Sequence, residues 1–529
     1  MSADHAVASV RTLLASTLLV RVVTSVISLL STRVVSVGAF GTVNVDLFLL
    51  KTGVLQLVTQ PLQRTALAHV SSETPSESRM VSPTEPRKES RKESRKESRK
   101  VWQEKRLHQV VSLAWLQVPV GLLLTVLLAQ CLPSVDTAVV SAVVACHLAA
   151  EPFLLHALCK RKQYALRGTV ESASTAVQSV STFVLLLTGP SGPTGLTGLT
   201  RLTDLSALLL GELSAALTVL FLAALNNGFR LPWSWERTPR ELWHRVLVQV
   251  AASAQDIAVA QGEKFALVAV GVSDTAKGVF AVASRLGAIA TRLVFRPLEQ
   301  VAHSVFALLQ DKPAESQQKL QQLLKAELLV SLAAAVFVPP NASLLMRYLV
   351  KEQQAESAAA VSVFCAVLLP LLAVNGLLDA WCHGSLAPNQ LLRHNARLSM
   401  VSLVYFVLCC VAAARGAVAL VLCNAVAMAL RIAAVVHWQM PRGFLSRVVR
   451  TLRWPTWLLA SALALTLNRL PLSVGVDTQR SRDSFKNDLM QVGVMALVGV
   501  ATLLAVLRLE GLSLRHLLPL GPRRRGKTA

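Results

Sequence analysis

The sequence predicts an all-α, polytopic membrane protein with about fourteen transmembrane helices. Three observations carry that prediction. Hydrophobic residues make up 53% of the 529 and charged residues only 16%, with a mean hydropathy of +0.51, well beyond a soluble domain. Apolar runs of about 20 residues, long enough to cross a hydrocarbon core, recur along the whole chain. Basic residues alternate between rich and poor connections, as a positive-inside bias requires.

In order, the candidate spans are 12–32, 37–58, 109–131, 136–158, 169–189, 203–225, 247–270, 278–308, 325–345, 357–381, 397–413, 416–438, 454–470 and 489–508. Arg21 interrupts the first, and no clear cleavage site follows, so it reads as a span and not as a secretory leader. The second and seventh are the least apolar, because Asp46, Lys51, Asp256, Glu263 and Lys264 fall inside them. The connections after spans 2, 4, 6, 8, 10 and 12 carry the basic residues, among them Lys160–Lys162, Arg237, Arg240, Lys319, Arg393 and Arg447. The alternation breaks after spans 9 and 13 but still puts both termini in the cytosol. The chain thus divides into 1–70 with two spans, 71–108, 109–230 with four, a linker at 231–246, 247–440 with six, 441–515 with two, and a basic tail at 516–529.

The segment 71–108 repeats Arg-Lys-Glu-Ser from Arg87 and is almost free of apolar residues until Val101, so it is expected to be a disordered basic cytosolic loop. It supplies little of the net charge of +23: Arg87 to Lys100 holds eight basic and three acidic residues. The remaining charge lies between spans, which leaves no case for nucleic acid as a partner. Gly189 to Gly198 reads as a flexible connection on the opposite side, and Asn341-Ala-Ser343 is a glycosylation sequon set against a span. The eight cysteines show no CxxC or histidine-rich spacing, so neither a metal nor a disulfide framework is expected, and they read as small packing residues.

The eighth span carries the most informative pattern. On an unbroken helix Arg285, Arg292, Arg296, Glu299 and His303 project into an arc of roughly 60°. An arginine at the bilayer centre costs about 2.5 to 3.5 kcal/mol even on insertion scales, so such a stripe cannot face lipid. It faces either a wet cavity suited to an anionic cargo or neutralising neighbours. Pro297, which breaks the helix at that level, favours the cavity. Asp256 and Glu263, seven apart on the seventh span, are natural charge partners, with Lys264 beside them. Further polar residues inside spans are Arg21, Asn44, Asn375, Asn424 and Arg431, with Glu151 in the fourth span and Arg64 just beyond the second. No nucleophile–base pair, metal-ligand spacing or phosphate-cradling glycine loop is present, so no enzyme, cofactor or metal is expected.

At these residues the chain resembles the eukaryotic dolichol-linked oligosaccharide translocation proteins, a branch of the MOP flippase superfamily. The resemblance runs through Gly41-Thr-Val-Asn-Val45, Glu151-Pro-Phe153 with Glu171-Ser172, and Gln261-Gly-Glu-Lys264. It continues through Leu286-Gly287, Arg292-Leu-Val-Phe-Arg-Pro-Leu-Glu299, Val374-Asn-Gly376, and Asn424 with Arg431. Departures are Asp46 where a basic residue is common, Thr59-Gln60 in place of an Arg-Glu pair, Lys264 for arginine and Gln300 for a second acid. The resemblance implies two pseudo-symmetric six-helix lobes plus two helices, in the endoplasmic reticulum membrane. It implies transport of Man5GlcNAc2-PP-dolichol to the luminal leaflet for N-glycosylation, with the diphosphate on Arg285, Arg292 and Arg296 and contributions from Arg21 and Arg431. Its expected partners are that lipid-linked oligosaccharide, membrane lipids and other glycan-assembly proteins. Two rival readings stay open: a non-transporting accessory protein of the same pathway, and a drug or metabolite exporter of the same superfamily.

Overall fold

The computed structural model describes residues 30–71, 88–130, 136–161, 166–188, 203–232, 238–296, 312–350, 352–386, 388–441 and 443–450, with scattered positions at 23–27, 132, 236, 298–309 and 493–508. All regular structure among them is helical. The helices in chain order are α1 (Val37–Gly41), α2 (Phe48–Ser71), α3 (Lys88–Ala129), α4 (Thr137–Arg161), α5 (Leu166–Thr188), α6 (Asp204–Asn226), α7 (Arg240–Ala260), α8 (Gly262–Ala269), α9 (Asp274–Ala290), α10 (Pro313–Leu349), α11 (Gln354–Val363), α12 (Leu369–Ser385), α13 (Pro388–Ala413), α14 (Ala417–Gln439) and α15 (Phe444–Arg450). Nine helical stretches among the described residues are long and apolar enough to cross a membrane. They correspond to the expected spans 2–6 and 9–12. The first and thirteenth spans and the basic tail lie outside the described residues, apart from scattered positions in the first.

The helices form two compact units, one of Met1–Val35 and Thr42–Val268, the other of Ser36–Gly41 and Ala269–Ala529. In the first unit α2 packs on α3, α4 and α7, and α4 on α6, which also pairs with α5. Leu62, Val110, Leu113, Leu155 and Leu242 close one apolar cluster there. Ala150, Phe153, Leu154, Val170, Val219 and Ala223 close another. In the second unit α10 packs on α11 and α12, α13 on α14, and α9 on α1. Gly41 and Gly278 allow the last contact: a Cβ on Gly41 would strike the Gly278 backbone, and one on Gly278 would strike the Val37 carbonyl. Small residues of this kind let helix backbones touch where lipid supplies no hydrophobic drive. Both α6 and α9 open on a hydroxyl cap, Thr203 to Ser206 N at 3.3 Å and Ser273 to Ala276 N at 3.4 Å, followed by an aspartate in the first turn.

Three departures from the sequence reading have physical causes. The segment expected to be disordered is helical from Lys88, where α3 begins. Arginine, lysine and glutamate are strong helix formers, and an apolar span downstream supplies the nucleus that a short charged repeat lacks alone. The seventh span is two helices and not one, because the chain turns at Gln261 (φ −124°, ψ 16°) between α7 and α8. The unbroken helix that would put Asp256 and Glu263 on one face is therefore not present, and the Asp256 side chain lies outside the described residues.

The third departure concerns three π-helical segments, Thr42–Leu47, Thr291–Phe295 and Phe364–Leu368. The last two share one cause. The Arg296 N–H reaches back to Thr291 O, and the Leu369 N–H to Phe364 O. The next residue in each case is a proline, 297 or 370, which has no N–H to offer the ladder. A wide turn before the proline re-satisfies the backbone where no water is available. Such a turn holds one extra residue, so side chains beyond it are rotated by about 100° from their α-helical positions. The single-face stripe of Arg285 with Arg296 and Glu299 therefore does not form. Such a stripe requires 3.6 residues per turn throughout, which the π turn does not give.

Candidate substrate-binding site

In the first unit the expected Asn44 and the buried Asp46 lie in the π-helical turn before α2. One turn further on, Lys51 Nζ meets Glu212 Oε2 of α6 at 2.7 Å, and Gln178 Nε2 of α5 donates to the other carboxylate oxygen. Glu212 and Gln178 were not anticipated. For Glu212 the signal was present: an acid among Leu208, Leu209, Leu210 and Leu213 within a span must find a partner. Lys264 of α8 sets its ammonium 3.4 Å from the centre of the Phe48 ring, a cation–π contact at the start of α2.

Glu151 is held in a dense lock. It accepts from Arg167 Nη2 and from Gln63 Nε2, each at 2.9 Å, while Arg167 Nε donates to Glu171 Oε1 at 2.8 Å. Burial works against charge on Arg167, but the Glu151 and Glu171 carboxylates outweigh it and hold the guanidinium above its ordinary range. The Glu151-Pro-Phe and Glu171-Ser motifs are thus two ends of one ion-pair network joining α2, α4 and α5. These hydrogen bonds make Glu151, a polar residue inside the fourth span, a brace between helices.

In the second unit Arg285 of α9 is half-buried, its guanidinium 5.2 Å from the Phe40 ring centre. Arg296 is exposed at the end of the π-helical segment. Glu299 is half-buried, with its carboxylate seated on Gly376 of α12, where a Cβ would collide with it, and Asn375 is the preceding residue. Arg431 of α14 donates through Nη2 to Ser402 Oγ of α13 at 2.9 Å, and Asn424 is half-buried two turns earlier. The side chains of Arg64, Asp256 and Arg292, and all of Arg21 and His303, lie outside the described residues. Asp256, Glu263 and Lys264 belong to the first unit, and Arg285, Arg296 and Glu299 to the second.

Guanidinium groups bind phosphate oxygens through paired N–H donors, so Arg285 and Arg296 suit a phosphorylated headgroup better than a neutral cargo. Among the described residues no group of three or more His, Cys, Asp or Glu could hold a metal ion. The seven cysteines among the described residues are free thiols, with the Cys409 and Cys423 sulfurs 3.6 Å apart. Asn341 of the sequon is buried in α10 and donates to Phe337 O at 2.8 Å, an arrangement closed to a glycosylating enzyme.

Comparison with known proteins gives a consistent result. A family model described as "Rft-1: Rft protein" matches residues 5–519. The chain is 29% identical over 138 residues to the "Man(5)GlcNAc(2)-PP-dolichol translocation protein RFT1" of Candida glabrata and 28% identical over 182 residues to that of Eremothecium gossypii. These stretches span 25% and 32% of this chain, and 25% and 32% of the two relatives. Among solved structures the fold is similar to "Lipid II flippase MurJ, inward closed conformation", with a TM-score of 0.61 at 12% identity over 94% of this chain and 99% of that one.

Proposed function

The chain belongs to the Rft protein family, and from that premise we propose that it moves Man5GlcNAc2-PP-dolichol from the cytosolic to the luminal leaflet of the endoplasmic reticulum membrane. The observation that carries the reading is the family match across residues 5–519, joined to the translocation role in the names of the Candida glabrata and Eremothecium gossypii relatives. The MurJ-like fold supports the architecture on which such transport depends. In this reading the diphosphate docks on Arg285, Arg292 and Arg296, with Arg21, Arg64 and Arg431 contributing positive potential. Asn44, Asn375 and Asn424 offer hydrogen bonds to the glycan, and Glu263 and Lys264 set the charge of the first unit. The dolichol tail stays in lipid throughout. No bond is made or broken, so the protein acts as a transporter and not as an enzyme, with both termini in the cytosol.

The test is translocation of the purified lipid-linked heptasaccharide in liposomes containing only this protein, read as protection of the glycan from an external mannosidase. Protection above that of empty liposomes, lost on substituting Arg285, Arg292 and Arg296 by alanine, supports the reading. Equal protection with and without folded, correctly oriented protein would sink it and favour an accessory role in glycan assembly.

A further inference from the structure

Glu327 has no role in the docking of an anionic cargo, yet it is the most unusual acid in the second unit. It lies on α10 and is 0% exposed. Neither carboxylate oxygen has a hydrogen-bond partner among the described residues. Its helix neighbours Leu323, Leu324, Leu328 and Leu329 build an apolar cluster with Leu377, Leu378 and Trp381 of α12. A charged carboxylate there has lost its hydration with nothing in return, whereas a neutral carboxyl loses far less.

Among the described residues the groups around it do not supply a counter-charge. The elements packed with α10 carry Glu356 on α11, Asp379 and His383 on α12, Arg431 and His437 on α14, and Arg447 and Arg450 on α15, with no charge in Phe364–Leu368. Of these, and of Lys319, Lys325 and Arg347 on α10 itself, none acts appreciably on Glu327. The group that does is Glu299, which has the same sign. Glu299 in turn feels Arg296 and Asp379. Asp379 is 48% exposed and sits beside His383 Nδ1 at 3.5 Å. Two further carboxyl groups stand on or against α12, whose Leu377, Leu378 and Trp381 pack on the helix of Glu327: the half-exposed Asp379, and the half-buried Glu299 seated on Gly376, three positions before Asp379.

We propose that Glu327 is a proton-binding site, filled from water through Asp379 and Glu299. A proton arrives at Asp379, passes to the Glu299 carboxylate and ends on Glu327, and the return path releases it to water. No other co-reactant is needed. Neutral Glu327 keeps α10 and α12 closed over a dry core. Loss of the proton puts an uncompensated charge in that core and drives the two helices toward an arrangement that admits water. The second unit thereby acquires two states that differ by one charge, the requirement for coupling a movement to a proton gradient.

The test is infrared spectroscopy of the purified full-length protein in liposomes near neutral pH, and it needs no cargo, so it can fail or succeed independently of the transport reading. The expected result is a protonated-carboxyl C=O band that disappears in Glu327→Gln, a variant that mimics the neutral acid and so should fold. Deuteration of that band in D2O should be several-fold slower in Asp379→Asn and in Glu299→Gln. An unchanged band in Glu327→Gln overturns the assignment of the site. Unchanged deuteration in both other variants overturns the route. A band abolished by sodium ions at constant pH would make the group a metal-cation ligand and overturn the proton assignment.

Discussion

The Glu299 carboxylate rests on the Cα of Gly376, at a point where any side chain on α12 would displace it. Two motifs nearly eighty positions apart in the sequence, Arg292 to Glu299 and Val374-Asn-Gly376, therefore meet as one packing unit. Gly376→Ala should push Glu299 from its seat and cost about 1 to 3 kcal/mol, as overpacking of a filled site does. Thermal unfolding of the purified variant reads this. Gly376→Ala paired with Glu299→Ala should recover most of the loss, because the second change removes the colliding group. A double variant no more stable than Gly376→Ala alone would show that the glycine serves backbone geometry and not the acid.

The Lys51–Glu212 pair, 2.7 Å apart and mostly shielded, joins α2 to α6 inside the first unit. Removing either partner leaves an uncompensated charge at a site that water reaches poorly. Lys51→Met or Glu212→Leu should each destabilise the protein by about 3 kcal/mol, the low end for breaking a buried pair. The double variant should recover most of the loss, short of the hydrogen bond that Gln178 donates to Glu212, since two apolar groups of similar volume replace two charges. Melting temperatures of the four proteins form the double-mutant cycle, and additive losses would rule out the pairing as an energetic unit.

Arg167 serves two carboxylates at once, Nε to Glu171 and Nη2 to Glu151. Only a planar guanidinium spans both, so Arg167→Lys should retain the charge but lose about 1 to 2 kcal/mol, one charge-assisted hydrogen bond's worth. Because Glu151 and Glu171 hold Arg167 above its ordinary range, the wild-type contribution of the network persists through alkaline pH, until the guanidinium itself titrates. The group's native affinity for its proton exceeds that in the unfolded chain, so the sign is loss of stability only as pH rises through that raised range. Urea unfolding of wild type and Arg167→Lys, from neutral to moderately alkaline pH, should show a constant gap for as long as a lysine keeps its charge. Equal stabilities would refute the two-carboxylate account.

Apolar length alone located nine of the spans seen as long apolar helices, because a run of about 20 hydrophobic residues has few other fates. The rich and poor connections were equally visible as composition. Side-chain directions were not. The stripe of Arg285, Arg296 and Glu299 was computed from a uniform helix, and Pro297 signalled a disturbance there without saying that it would take the form of a π turn rather than a break. Gln261 offered no such warning, being neither glycine nor proline, yet the chain turns there and divides the expected seventh span into two helices. Partners such as Glu212 for Lys51 and Arg167 for Glu151 lie on different helices, and the pairing of helices is not written in any local pattern. Glu327 was legible as an acid amid leucines, but its isolation emerges only from the packing of α10 on α12.

Pro370 offers the cleanest separation of helix geometry from stability. The Leu369 N–H bonds to Phe364 O because residue 370 cannot continue the α-helical ladder. Pro370→Ala restores the missing N–H and lets Phe364–Leu368 relax to ordinary α-helix, gaining about 0.5 to 1.5 kcal/mol from the new hydrogen bond. The face bearing Asn375 and Gly376 would then rotate by about 100° relative to α11, carrying the glycine away from Glu299. The expected outcome is a protein that melts no lower than wild type yet fails in the liposome translocation assay. Deleting one residue of Phe364–Leu368 in the Pro370→Ala background removes the surplus residue, returns the face bearing Asn375 and Gly376 to its native direction and should restore transport. A Pro370→Ala variant that transports normally would show that the wide turn serves only to house the proline.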